Sequence, residues 1–399
     1  MSEIGRQPSQ RPSFVFWTSI WAASIAFTIT AMVIDVFKKD MGLIVGRDFS
    51  NMWTSGRLAL ESNAHRAFDL DSFRLALLDK LDMLSLQNFS YPPHTLFLNA
   101  PFATMPYYLA FALWSALGLS LFALAARSYL PKGFPAWLAA ATPAAGFCVW
   151  DGQYGLFLGA LWLWVFALVD RRPVRAGILA GIMTIKPHLG LLIAAILTRS
   201  WKAVAAAVVT TLLLVGASAA VFGEGSWSDF ILQTTAAQAD VLTRQSGDFY
   251  FKLMVGSYTA FGKGAVGVAA QLLFASFALW KLWTVRRLPS KDLAFPMSTA
   301  TFLIVPYVFN YDMTVVCLGF AVILFAEWQR LTRNQIIVAT LCFACPALTM
   351  IHSVLAPLVL SLGMHLQCRL LLESAKADAQ SGAPSAALSP IGWTYAADS

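Results

Sequence analysis

The chain has 399 residues, of which 58% are hydrophobic, 13% aromatic and only 12% charged, and its mean hydropathy is +0.64. Soluble domains carry about twice that share of charge, so the composition excludes one and points to a polytopic membrane protein. The formal charge of +7 is no nucleic-acid signature, because the Lys and Arg residues lie scattered between apolar runs, as in loops that orient helices in a bilayer.

The N-terminal "MSEIGRQPSQRPS" is polar and basic and precedes an apolar run from Phe14 to about Val36. That run is longer than a signal-peptide core and lacks a small-residue cleavage site, so it predicts a retained first helix. A bilayer core needs about 20 apolar residues per helix. Further spans are predicted at 106–128, 134–150, 154–170, 201–222, 264–284, 294–309, 313–328, 335–351 and 353–370. The chain therefore reads as an all-α integral membrane protein of about 10–12 transmembrane helices. Its membrane domain covers 1–372, with longer outer loops at 37–105 and 223–263.

Within the first outer loop, "DLDSFRLALLDKLDML" sets Phe73, Leu77, Leu81 and Leu84 on one helical face, which predicts a helix lying along the membrane interface. The following "YPPHTLFLNAPFATMPYYLAF" is too rich in proline for a regular span and predicts a short re-entrant or interfacial turn.

"RRPVRAGILAGIMTIKPHLGLLIAAILTRSWK" has basic residues at both ends. A single span would put those clusters on opposite sides and strand Lys186 near the bilayer centre, at a cost of about 3 kcal/mol or more. Lys186-Pro187 instead reads as the apex of a hairpin of two short helices. With that choice the short basic loops fall on one side, which the positive-inside rule makes cytoplasmic, together with both termini. The tail 373–399, rich in Ala, Ser, Asp and Pro, is expected to be disordered. All five cysteines lie in or at the ends of apolar runs, and Cys342-x-x-Cys345 has no second ligand pair, so ordinary buried thiols are expected.

This topology sends five turns to one face. They carry Asp48; Tyr91 and His94; Asp151 and Gln153; Lys186 and His188; and Tyr311 and Asp312. Ionisable groups at membrane depth are expensive and tend to line a site. Each also has a plain reading: Asp48 as a helix cap or loop residue, Lys186 snorkelling to headgroups, Asp151 as a turn residue, and Asp312 as the cap of a helix beginning near Met313. Nucleotide-binding, metalloprotease and hydrolase motifs are missing, and no repeat relates the two halves as in many transporters.

"RDFSNMWTSGRLAL", "YPPHTLFLNAPFATMPYYLAFALW", "GQYGLFLGALWLW", "GILAGIMTIKPHLGLLIAAIL" and "PYVFNYDMTVV" follow one another between about residues 46 and 320. In this succession the chain resembles glycosyltransferase family 87, membrane enzymes of GT-C type that use polyprenyl-phosphate sugars. The resemblance implies a GT-C bundle with its active site on the periplasmic or exterior face of the cell membrane. It also implies transfer of a hexose, mannose or a related sugar, by inversion and with no metal or other cofactor. The "DLD" at 69–71 is the sole D-x-D near that face, beside the interfacial helix. Asp48 matches the family's catalytic base, with Met52 where relatives carry Tyr or Phe before the Trp. Lys186, His94 and His188 are expected at the donor phosphate, although relatives carry Gln at the last position. Tyr91, Trp53, Arg57, Asp151, Gln153, Tyr311 and Asp312 are expected around the substrates. The implied partners are the polyprenyl-phosphate sugar donor, a lipid or glycan acceptor and the membrane lipids, with no nucleic acid. The rival reading from these residues is a lipid-linked sugar or polysaccharide transporter or flippase subunit, with the same polar groups as one gate.

Overall fold

The computed structural model describes residues 14–37, 44–83, 87–236, 239, 253–262 and 264–381. Among them every regular element is helical, and the one β-bridge joins Met254 to Phe309. The expected all-α membrane fold is therefore observed. The first predicted span is a helix over Phe14–Phe37. Among the described residues four helices are long and apolar enough to cross a bilayer: Tyr107–Tyr129, Trp201–Phe222, Gly264–Val285 and Leu355–Gln380. A fifth candidate is the pair Arg333–Phe343 and Cys345–Ile351, bent by 75°.

Shorter apolar helices over Ser19–Ile34, Gly155–Leu168, Pro173–Ile185, Pro187–Leu197 and Thr314–Ala326 stand beside them where about 10–12 transmembrane helices were expected, and several of the predicted spans are shorter or broken. The 134–150 stretch divides into Ala136–Ala139 and Pro143–Asp151, with Thr142 capping the second helix by accepting from the Ala145 N–H. Pro143 at the first helical position carries no N–H to lose there, so it begins a helix and cannot continue one. The bend within 335–351 likewise comes just before Pro346.

The hairpin is present. Pro173–Ile182 leads through a 3₁₀ turn to Lys186, and Leu191–Leu197 returns. Its direction is fixed by glycine packing. A Cβ on Gly177 would strike the Ala203 carbonyl and one on Gly181 would strike Thr210, so Pro173–Ile182 and Trp201–Phe222 run parallel with backbones in close approach, a small-residue membrane contact. Parallel helices that both start at one end require the chain between them to go up and come back. At that end Arg199 donates to the carbonyls of Leu288 and Arg286, and Asp170 accepts from the Ser290 N–H and hydroxyl. The predicted basic turns around 170, 199 and 288 therefore do share one side.

Between the first helix and Tyr107, Leu70–Leu81 forms the expected helix, capped by Asp69, which accepts from the Ser72 N–H at 2.8 Å. Phe73, Ala76 and Leu77 bury against Leu58, Phe68, Phe89 and Leu96, a small second core that lets the loop hold a shape of its own. Asp69 of the D-x-D is thereby occupied as a cap. The last helix continues to Ser381, past Glu373, where disorder was expected. The Glu, Ala, Lys and Gln residues of "ESAKADAQS" are good helix formers, and Ser374 within it is buried; residues beyond 381 lie outside the described residues. All five cysteines are free and buried.

Candidate active site

The helix Phe49–Leu60 begins where Gly46, at φ +72°, turns the chain. Tyr107 donates its hydroxyl to the Val45 and Gly46 carbonyls, and Phe49 packs among Tyr107, Phe111 and Trp114. These contacts place Asp48 at the N-cap, and its backbone N–H donates to the Asp151 carbonyl at 2.9 Å. An N-cap aspartate ordinarily accepts from the helix's first N–H groups, but the Asp48 carboxylate makes no such bond. It is drawn to other side chains.

Arg47 Nε meets Asp48 Oδ1 at 3.1 Å, and Arg47 Nη2 lies 3.7 Å from Asp151 Oδ1. Gln153 Nε2 donates to Asp48 Oδ2 at 2.6 Å, Gln87 Nε2 reaches Oδ1 at 3.4 Å, and Tyr91 donates its hydroxyl to Gln153 Oε1 at 2.8 Å. The Asp48 charge holds the Arg47 guanidinium protonated beyond its ordinary range, with Asp151 adding to it against the opposing effect of burial. Burial pushes the Tyr91 phenol well above its ordinary range, and both Asp48 and Asp312 add to the shift.

A second cluster adjoins the first. Lys186 Nζ donates to Asp312 Oδ1 at 2.8 Å and Oδ2 at 2.6 Å, and the two side chains are 4% and 0% exposed. The ammonium lies 5.0 Å from the Tyr311 ring centre, and Tyr311 stacks on Phe309. Asp312 therefore does not cap the next helix; that helix starts at Thr314 with Met313 as its cap. A fully buried carboxylate takes the nearest cation rather than a helix end. Gly155 allows the 152–155 turn to touch this cluster, since a Cβ there would run into the Tyr311 carbonyl. On the other side, the Val255 N–H donates to the Val308 carbonyl and the Asn310 N–H to the Leu253 carbonyl, so the 253–255 segment braces the same turn.

His94 is buried and stacks on Trp227 at 5.9 Å, and its Nε2 meets the Thr184 hydroxyl at 3.3 Å, two residues before Lys186. Burial pushes its imidazole down to about 4, so it is neutral at pH 7. Its Nδ1 has no hydrogen-bond partner among the described residues, and neither has His188 Nε2. Five turns far apart in sequence thus meet at one end of the bundle, opposite the end marked by Arg199.

Two expected site residues lie elsewhere. Trp53 donates its indole N–H to the Met105 carbonyl and packs edge-on against Tyr107. Arg57 lies over Trp53, donates to the Ala103 carbonyl and faces Glu61, about 13 Å along the helix from Asp48 at 1.5 Å per residue. Conversely Arg47, Gln87, Thr184 and Trp227 belong to the clusters and were not singled out from sequence. For Arg47 the signal was its place beside Asp48; for the others nothing local marks them.

The family model for glycosyltransferase family 87 matches residues 89–308, more than half of the chain. Tyr91, His94, Gln153 and Lys186 fall inside that stretch, Arg47 and Asp48 ahead of it, and Tyr311 and Asp312 just beyond. No curated protein and no solved structure matches the chain. On that match over most of the site's turns, the chain belongs to glycosyltransferase family 87.

Proposed function

We propose that the protein transfers a hexose, mannose or a close relative, from a polyprenyl-phosphate donor to a lipid or glycan acceptor at the outer face of the cell membrane. The observation that carries the reading is the gathering of Asp48, Arg47, Gln153 and Tyr91 beside the Lys186–Asp312 pair, at the end away from the basic turns. Asp48 accepts the acceptor hydroxyl's proton as that oxygen bonds to the anomeric carbon. The bond from carbon to phosphate oxygen breaks on the opposite side, and the lipid phosphate leaves with the electron pair. General-base help of this kind contributes about 10²- to 10⁴-fold.

The charge developing on the leaving phosphate needs donors. Lys186 spends two N–H groups on Asp312 and keeps a third; neutral His94 gives its one N–H from Nε2 to the Thr184 hydroxyl, which itself donates to the Gly181 carbonyl, so its Nδ1 is an acceptor, and His188 Nε2 is without a partner among the described residues. A lipid tail is accommodated by an apolar groove of about 490 Å³ between Ser24–Met32 and Thr142–Val149, which ends two residues short of Asp151.

The test is sugar transfer by the purified protein in nanodiscs, from radiolabelled polyprenyl-phosphate mannose to total membrane lipid, with Asp48→Asn alongside. Loss of transfer in a folded variant is the expected result. Full activity in that variant removes Asp48 as the base, and no transfer by the wild type sets aside this donor.

A further inference from the structure

We propose that Tyr91 and Gln153 are positioning residues for Asp48: the Tyr91 hydroxyl fixes which way the Gln153 amide points, and the amide in turn holds the carboxylate. This rests on Asp48 being the base, as proposed above. An ionised carboxylate only accepts hydrogen bonds, so the Gln153 atom 2.6 Å from Asp48 Oδ2 must be the NH₂. The amide oxygen is then turned away and needs a donor, which Tyr91 supplies at 2.8 Å. Neither member is free to move. The Gln153 N–H donates to the Cys148 carbonyl, and the preceding Gly152 adopts φ +74°, where a Cβ would meet Phe49. The Tyr91 ring is wedged edge-on at 4.7 Å against Tyr154, whose hydroxyl donates to Asn99 at 2.6 Å, and Asn99 donates to Ser55. Ser55 lies on the helix that starts from Asp48, so the relay closes on the element it orients.

Without the Tyr91 hydroxyl the amide can rotate and offer its oxygen to the carboxylate. That removes a donor from one carboxylate oxygen and replaces it with a repulsive contact. The other titratable groups that Asp48 faces stay in place: Arg47 on Oδ1, Asp151 across Arg47, Tyr107 beneath the loop, and the Lys186–Asp312 pair with Tyr311 beyond Arg47 and Tyr91.

The experiment is transfer kinetics for Tyr91→Phe and Gln153→Met in nanodiscs, from radiolabelled polyprenyl-phosphate mannose, against pH. The expected result for Tyr91→Phe is a kcat lower by about tenfold, an unchanged KM for donor, and an acid limb moved up by about one pH unit. A raised KM with kcat and pH profile intact overturns the proposal and makes Tyr91 a sugar contact. A second measurement does not depend on turnover: thermal melts of Tyr91→Phe, Asp48→Asn and the double variant. Tyr91 and Asp48 have no hydrogen bond to each other, yet the relay couples them, so their effects on Tm should be non-additive by about 1 °C or more and become additive in a Gln153→Met background. Additivity with Gln153 present overturns the relay whatever the donor is, whereas coupled melts with a fully active Asp48→Asn overturn only the assignment of the base.

Discussion

Replacing Asp312 with Asn should destabilise the protein more than almost any other single polar change. The Lys186 and Asp312 side chains are 4% and 0% exposed, and both carboxylate oxygens are engaged at 2.8 and 2.6 Å. Asparagine keeps the shape and one acceptor but leaves an ammonium buried without a counter-charge. Breaking a pair of this kind costs about 3–5 kcal/mol, because the remaining ion keeps its desolvation penalty and loses its attraction. At about 2–4 °C per kcal/mol, the midpoint of a melt in detergent should fall by roughly 10 °C. The pair Asp312→Leu with Lys186→Met removes both charges, so its stability should return close to wild type. The assay is retention of the monodisperse peak after heating, for Asp312→Asn and the double variant. If Asp312→Asn melts with the wild type, the ammonium is solvated or served by another group, and the argument for a closed pair fails. A double variant as unstable as the single would mean that the loss comes from packing and not from charge. The double variant, stable but inactive, is also the cleanest probe of Lys186 in donor binding.

Two further changes probe the neighbouring elements. Gly155→Ala places a methyl group against the Tyr311 carbonyl and should cost about 1–3 kcal/mol and much of the activity, since backbone cannot yield as a side chain can; an unshifted melt would show that the 152–155 and 309–312 turns are not in rigid contact. His94 titrates near 4 in the folded chain against an ordinary 6.5, so between those values the unfolded chain binds a proton that the folded one refuses. Stability should therefore fall as pH drops from about 6.5 towards 4, by at most about 3 kcal/mol, and be insensitive to this group above 6.5. Melting temperatures at pH 5 and 7 for wild type and His94→Gln check this; parallel slopes would refute it.

Much of the bundle could be read along the chain because a bilayer imposes length and apolarity on each span separately. Phe14–Phe37, Tyr107–Ala126, Trp201–Phe222 and Gly264–Val285 each carry their own signal, and Lys186-Pro187 announced the hairpin through the cost of a stranded charge. Local rules were weaker where a span is broken, as at Thr142-Pro143, and where a tail composition mimics disorder, as at 373–381. Asp48, Tyr91, Gln153 and Lys186 stand out in the sequence by their type and by the common side that parity along the chain gives them, and the structure brings them together. Arg57 and Trp53 look equally suitable in sequence, yet their place on Phe49–Leu60 turns them towards Ala103, Met105 and Tyr107.

The sequence by itself determined that this is a membrane-embedded helical protein, which of its turns share a face and which family it resembles, since hydropathy and charge act residue by residue. Only the tertiary structure decided which polar groups pair: Asp312 with Lys186 and not a helix end, Gln153 between Tyr91 and Asp48, and Arg47 between two aspartates. Hydrogen bonds and buried charges are satisfied over a few ångströms of space, and the partners here stand 39 to 126 positions apart for Gln87, Tyr91, Gln153 and Lys186, a distance across which the linear pattern carries no information about contact.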